Sequence, residues 1–174
     1  MNEQPIPDSK DWTWVLDGAC DECGHDVRAL DPGQIAGLVR GSVSLFTMAL
    51  QRANAGARPS PQVWSPLEYC AHVGEMYVVM TQRLELMTSQ ELPTFANWDQ
   101  DEAAIRNNYA QLAPEYVAGQ LRRSAEAFAG ALEALADTQI TRRGCRSNGS
   151  VFTVATLSQY AWHDAVHHLH DLGV

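Results

Sequence analysis

Four of the six histidines lie in one short stretch near the C-terminus, from His163 to His170. His163 and His167 are four positions apart, so on a helix their side chains would lie within about 40° of each other, one turn apart. Two imidazoles at this spacing can direct their lone pairs at one ion, and zinc, nickel and iron all accept such ligands. We therefore predict that these two histidines are metal ligands, with a solvated helix face as the plainer alternative.

A third ligand has to come from another helix, and His72 is the candidate. It falls within the apolar stripe of an earlier predicted helix, which is an unusual place for a histidine. Three protein nitrogens would leave a coordination position open, as in reactive rather than structural metal sites. The alternative is a hydrogen-bonded core histidine. His168 is expected to project on the far side of its helix.

Three further residues are candidates for contact with a substrate or a ligand. Glu75 lies about 60° from His72 on the same predicted helix and could orient a ligand or act as a base. Tyr160 precedes His163 by one turn and could meet a substrate oxygen. Arg143, in a basic loop before the last helix, could clamp an anionic substrate or thiol cofactor. An exposed helix acid, a half-buried tyrosine and a solvated loop charge are the respective alternatives.

The two N-terminal cysteines form a Cys20-x-x-Cys23 motif followed by a glycine. This resembles one half of a zinc ribbon, which needs further ligands. His25, Cys145 or a partner chain could complete it, and the spacing does not choose among them. A redox pair and free thiols without function are the alternatives, so Cys20 and Cys23 are candidates for a second metal site or a redox pair.

The elements that carry these residues are predicted to be helices. Asp31-Pro32-Gly33-Gln34 and Ser65-Pro66-Leu67-Glu68 are two helix starts, each with a capping residue and a proline at the first helical position. Two more helices start near Pro114 and after Thr153. The long connection over residues 91–113 indicates a crossover, and residues 142–150 are expected to be a loop. Strand-like alternation is scarce, so we predict an all-α fold with a four-helix bundle over residues 31–174 and an irregular N-terminal extension over residues 1–30.

Composition limits the classes of partner. The chain has 174 residues, 45% of them hydrophobic, and a net charge of −9. An acidic surface repels phosphates, so we expect no nucleic-acid partner. We expect no membrane partner, because no apolar run approaches the length of a bilayer span, and a cytoplasmic location, because Met1 to Lys10 is polar. A small-molecule substrate is expected, and exposed apolar edges of the bundle would allow a homodimer.

Two separate motifs resemble those of a known family. The stretch Trp64-Ser65-Pro66-Leu67-Glu68-Tyr69-Cys70-Ala71-His72 resembles the second-helix motif of DinB-like proteins, and His163-x-x-x-His167 is similar to their last-helix ligand pair. The resemblance covers roughly residues 33–172. It implies an up-down-down-up bundle with a divalent metal held by His72, His163 and His167.

The resemblance also bears on activity. The wider superfamily includes thiol-dependent S-transferases and isomerases that use bacillithiol, mycothiol or glutathione. It therefore implies a metal-dependent enzyme that activates a low-molecular-weight thiol, with a metal-dependent hydrolase or a non-catalytic binding bundle as alternatives. In the mycothiol-dependent isomerases the first ligand of the last-helix pair is a glutamate, whereas this chain has His163.

Overall fold

The chain folds mainly into helices. A computed structural model describes residues 10–174, so the first nine residues of the predicted N-terminal extension lie outside the described range. Four long helices form the bundle, which confirms the predicted all-α fold class. They are α1 (Pro32–Leu50), α2 (Pro66–Ser89), α4 (Pro114–Glu133) and α5 (Val154–Asp171), with a short helix α3 (Gln100–Arg106) between the second and third of them.

The helices that carry the candidate residues start where the sequence predicts. Asp31 and Ser65 cap α1 and α2 through reciprocal capping boxes, each followed by a proline at the first helical position. Thr153 caps α5 and pairs with Thr156 in the same way. Each cap satisfies backbone N–H groups that would otherwise lack partners, which fixes the first residue of the helix.

Contacts between helix ends give their relative directions. The Cys70 thiol near the start of α2 lies 3.6 Å from the carbonyl oxygen of Phe46 near the end of α1, so these two helices are antiparallel. Arg52, just after α1, donates to the carbonyl of Leu172, just after α5, at 2.8 Å, so α1 and α5 are parallel.

The third long helix runs parallel to α2. Tyr77 of α2 stacks on Phe128 of α4 with ring centroids 5.4 Å apart. Nearer the start of both helices, a Cβ on Gly74 would lie 3.4 Å from the Cα of Leu121. The bundle is therefore up-down-down-up. The connection over residues 91–113 is the crossover, which takes the chain from the end of α2 back to the end of the bundle at which α2 begins.

A small sheet covers one end of the bundle. Its strands are β1 (Thr94–Phe95), β2 (Arg143–Arg146) and β3 (Val151–Thr153), with β1 parallel to β2 and β2 antiparallel to β3. The prediction of a loop over residues 142–150 is therefore wrong for its first part, because strands this short carry no readable alternation. A Cβ on Gly144 would lie 2.7 Å from side-chain carbons of Met87 and Phe95, so the glycine lets β2 approach the end of α2.

The core is continuous across the four long helices. Its largest fully buried side chains include Tyr77, Phe46 and Phe128, and His72 is likewise fully buried, with 0% exposure. Burial on this scale supplies most of the stability of a bundle of this size. Among residues 10–174, no helix is both long and apolar enough to cross a membrane.

Candidate metal centre

Helix α5 carries two pairs of potential metal ligands. The members of each pair are four residues apart, and the second pair is shifted by one residue along the helix from the first. His163 and His167 face the segment over residues 10–30, whereas Asp164 and His168 face α2. One residue corresponds to about 100° of helix rotation, so the two pairs lie on adjacent faces. Each pair joins a different group of side chains.

The first group, which we call the α2–α5 triad, consists of His72, Asp164 and His168. His72 Nε2 lies 3.1 Å from Asp164 Oδ1, and His168 Nε2 lies 3.6 Å from the same oxygen. One donor atom from each residue lies within 4.8 Å of the other two. Two imidazoles and one carboxylate are a donor set that divalent metals accept, and three ligands leave room for a reactant.

Neighbouring side chains hold the triad in this orientation. Asp171 Oδ2 lies 2.9 Å from His168 Nδ1 and can accept a proton from it in a hydrogen bond, which holds the ring with Nε2 turned toward Asp164. The His72 ring is stacked against Trp98 at a centroid distance of 5.3 Å, and Trp64 packs on it at the same distance. The donor atoms therefore face one another before any ion binds.

Asp164 is ionised at neutral pH. Burial acts to raise the pKa of its carboxyl group, but the electrostatic attraction of the His72 ring and its hydrogen bond, together with the nearby imidazoles, outweigh burial and hold the pKa at about 2. A carboxylate that is already deprotonated can bind a cation without first releasing a proton.

The second group, the Cys–His group, consists of Cys20, Cys23, His163 and His167. Cys20 Sγ lies 3.8 Å from His167 Nδ1, and Cys23 Sγ lies 3.7 Å from His163 Nε2. Burial, reinforced by the neighbouring His167, lowers the pKa of His163 to about 4, and burial also lowers that of His167. Both imidazoles are therefore neutral at pH 7, which is the form that binds metals.

A cavity of about 260 Å³ lies beside both groups. Its walls come from the N-terminal segment, the start of α2, the start of α3 and the face of α5. The lining contains four carboxylates and one lysine, so it is acidic apart from its aromatic rings. The lining residues are Lys10, Trp12, Glu22, Gln62, Val63, Trp64, Tyr69, Gln100, Asp101, Tyr160, His163, Asp164, His167, His168 and Asp171.

The structure does not bring the three predicted histidine ligands into one group. His72 meets Asp164 and His168, while His163 and His167 meet the two N-terminal cysteines. The prediction gave residues 10–30 no position against α5. Residues 10–30 cover the adjacent face instead, so the pair that reaches α2 is one residue further along. His168 therefore faces His72, and its expected position on the far side of the helix is corrected.

Asp164 is the functional candidate that sequence reasoning missed. A signal for it was present, because Asp164 and His168 have the same spacing as His163 and His167.

The other sequence candidates divide between the cavity and other regions. Tyr160 lines the cavity, and burial raises the pKa of its hydroxyl. Glu75 lies elsewhere, where its carboxylate accepts hydrogen bonds from Tyr109 and Asn107 in a separate cavity of about 360 Å³. Arg143 lies in β2 at the sheet end and lines neither of these cavities.

The side chains that lie beside the cysteine motif are not the ones that the sequence suggested as its completing ligands. The sequence offered His25, Cys145 or a partner chain, whereas His163 and His167 of this chain provide the neighbouring nitrogens. His25 contributes through its backbone, as its carbonyl accepts the N–H of Cys20 at 2.9 Å. Cys145 lies in β2 with its thiol 3.5 Å from the carbonyl oxygen of Arg146.

Comparison with known proteins agrees with the fold. The family model of the DinB superfamily matches residues 39–172. The solved structure of YfiT from Bacillus subtilis, described as "a probable metal-dependent hydrolase with an unusual four-helix bundle topology", is similar with a TM-score of 0.69 and 15% identity, covering 90% of this chain and 89% of that chain. No curated protein sequence matches significantly. Because the family match spans most of the chain, this protein belongs to the DinB superfamily.

Proposed function

We propose that this protein is a divalent-metal-dependent enzyme that transfers or isomerises through a low-molecular-weight thiol, with His72, Asp164 and His168 as metal ligands. The observation that carries the proposal is the convergence of these three donor atoms, with a buried histidine on one helix and an i, i+4 pair on another. A divalent ion held there would supply the Lewis acidity that makes a thiol or a water molecule nucleophilic near neutral pH.

The carboxylate in the triad supports the proposal of a thiol-dependent reaction. Asp164 is the first member of the proposed α5 ligand pair, which is where the mycothiol-dependent isomerases of the wider superfamily carry a glutamate. With Asp164 as the first ligand of the pair, the chain would carry a carboxylate there as those isomerases do, whereas His163 in that role would depart from them. Asp164 is one carbon shorter than glutamate but still reaches within 3.1 Å of His72 Nε2.

The charge of the cavity indicates the class of thiol. Glu22, Asp101 and Asp171 line it in addition to Asp164, and the single lining lysine is 2.5 Å from Glu22. Such walls disfavour ligands with carboxylates of their own. The cavity thus suits an uncharged, sugar-linked thiol of the mycothiol type better than glutathione, and Arg143 does not line it.

The chain's own residues would position the reactants. Burial raises the pKa of Tyr69 to about 12 and raises that of Tyr160, so both hydroxyls stay protonated and can donate hydrogen bonds to a substrate oxygen. Trp12 and Trp64 give the cavity apolar walls against which a substrate can exclude water.

A metal-dependent hydrolase is the second candidate. Two histidines and one carboxylate also hold catalytic zinc in metallohydrolases. YfiT, which has a similar fold, is described as a probable metal-dependent hydrolase. The same triad and cavity would serve, with water in place of the thiol.

Turnover with and without a thiol separates these candidates. Protein loaded with zinc, nickel or iron should consume an uncharged thiol together with an electrophile, and metal content should be measured in parallel. Glu75→Gln, which lies at the other cavity, should retain full turnover as the matched control. Hydrolysis of an ester panel without thiol would instead support the hydrolase, and metal binding with neither reaction would leave only a binding protein.

Loss of the Asp171 carboxylate should weaken metal binding at the triad. Asp171→Asn removes the anionic acceptor that orients His168, and such changes cost roughly 10- to 100-fold in metal affinity. Manganese is a suitable probe, because it prefers carboxylates and avoids thiolates. Titration followed by electron paramagnetic resonance should show the weakening, while Glu85→Gln on the exposed face of α2 should bind as the wild type does. Equal affinity in both variants would show that Asp171 does not orient a ligand.

A further inference from the structure

We infer that Cys20, Cys23, His163 and His167 form a second, structural zinc site that fastens the N-terminal segment to α5. The site is separate from the α2–α5 triad, and its existence does not depend on the proposed function. It differs in chemistry as well as position, because two thiolates and two imidazoles are the donor set of closed structural zinc sites, which leave no position for a reactant.

The distances fit one tetrahedral ion. Zinc lies about 2.3 Å from sulfur and about 2.0 Å from nitrogen, so the edge between a sulfur and a nitrogen of the same tetrahedron is about 3.6 Å. The distance from Cys23 Sγ to His163 Nε2 is 3.7 Å, and that from Cys20 Sγ to His167 Nδ1 is 3.8 Å. All four donor atoms lie within 4.8 Å of one another. A single ion can therefore contact the four atoms with little movement of the side chains.

The backbone around the cysteines has the tight turn that a metal-binding knuckle requires. Gly24 has a φ of 77°, in the left-handed region that favours glycine. Its N–H donates to the carbonyl of Cys20 at 2.8 Å, and the N–H of Cys20 donates to the carbonyl of His25 at 2.9 Å. This turn brings both thiols to the same side, facing the imidazoles of α5.

Burial makes it costly for the thiols and imidazoles of this group to lack a hydrogen-bond partner or a bound ion. Cys20, His163 and His167 are exposed by only 2%, 3% and 7%. The four cysteines of the chain are free thiols, so the pair is not closed by a disulfide. Sulfur and imidazole nitrogen at 3.7 to 3.8 Å make at most weak hydrogen bonds, whereas an ion would satisfy all four groups.

The site has a consequence for the cavity. Trp12 and Glu22 belong to the segment that the ion would fasten, and both line the cavity beside the triad. The Trp12 ring packs on His167 with centroids 4.8 Å apart. At the end of the segment, Gln159 of α5 donates to the carbonyls of Arg28 and Leu30 at 3.1 and 3.0 Å. A zinc ion at the Cys–His group would thus fix one wall of the cavity.

Cobalt substitution tests the inference without reference to activity. Wild-type protein loaded with Co²⁺ should bind at least one equivalent and show the intense thiolate-to-cobalt charge-transfer absorption of a tetrahedral thiolate site. The Cys20→Ser/Cys23→Ser variant should lose that absorption and about one equivalent, and Cys145→Ser, the matched control, should lose neither. His72→Ala should keep the absorption, which separates this site from the triad.

Several outcomes would overturn the inference. Wild-type protein that binds cobalt without thiolate absorption would do so, as would absorption that survives the double serine variant. Trypsin gives an independent readout, because zinc-loaded wild type should resist cleavage at Arg28 while the double variant is cut with its helical circular dichroism retained. Equal rates of cleavage in the two proteins would show that no ion fastens the segment.

Discussion

Replacing His72 with alanine is expected to remove the metal of the triad and to lower turnover by about 1,000-fold. The expectation follows from the stabilisation of several kcal/mol that a Lewis acid gives to developing charge, and about 1.4 kcal/mol corresponds to a tenfold change in rate. Asp164→Asn should have a similar effect, and it preserves the volume of the side chain. Steady-state turnover and metal content, measured on the same samples, check both variants.

The control for this prediction is His163→Ala. His163 belongs to the Cys–His group, so its loss should leave the metal of the triad in place and lower turnover far less than His72→Ala does. A three-histidine site made of His72, His163 and His167 would make the two variants equally inactive. Equal loss in both, with the fold intact by circular dichroism, would therefore restore the ligand set predicted from the sequence and contradict the triad.

Replacing Arg58, whose guanidinium group pairs with Glu68, should destabilise the protein by about 2 to 3 kcal/mol at neutral pH. The Glu68 side chain is 3% exposed, and it accepts from Arg58 at 2.5 Å and from the N–H of Ser65 at 2.8 Å. Arg58→Met would leave a buried carboxylate without its cation, which costs 3 to 5 kcal/mol in a fully buried pair, and about 2 to 3 here because Arg58 is partly exposed. Urea unfolding at neutral pH measures the loss.

The dependence of this loss on pH follows from the pKa of Glu68. Burial acts to raise that pKa, but the hydrogen bonds from Arg58 and Ser65 outweigh it and hold the pKa below its usual value of 4.5. A lowered folded-state pKa stabilises the protein above the unfolded-state value, and the stabilisation is lost as pH falls through the folded value. The deficit of Arg58→Met should thus be largest at neutral pH and shrink below about pH 4.5.

A double variant provides the control. Arg58→Met/Glu68→Gln removes both charges and should be more stable than Arg58→Met alone, because no uncompensated charge stays buried. Its stability should also vary less with pH below neutrality. If Arg58→Met is as stable as wild type at every pH, the ion pair does not fix the start of α2, and the position of His72 must depend on its aromatic neighbours.

The helices were predictable because their signals are local. Capping boxes at Asp31 and Ser65 act within four residues, so their geometry can be read directly from the chain. The strand Arg143–Arg146 was not predictable in the same way. It pairs on one side with Thr94–Phe95, about fifty positions earlier, and on the other with Val151–Thr153, and its length is too short for an alternating pattern.

The site was predictable in its residue types but not in its grouping. Buried His72 and the histidine-rich end of α5 were identified, but the register of α5 against α2 depends on which face the N-terminal segment covers. That segment is irregular, so no periodicity locates it. Gln159, which holds the segment through two backbone carbonyls, gives no sign of this role in the sequence.

Anomalous diffraction from crystals of the cobalt-loaded protein would test the central assignment most directly. An anomalous peak is expected within bonding distance of His72 Nε2, Asp164 Oδ1 and His168 Nε2, in addition to any peak at the two cysteines. A dataset in which the only peak lies among Cys20, Cys23, His163 and His167, with His72 bound to no ion, would contradict the assignment of the reactive centre.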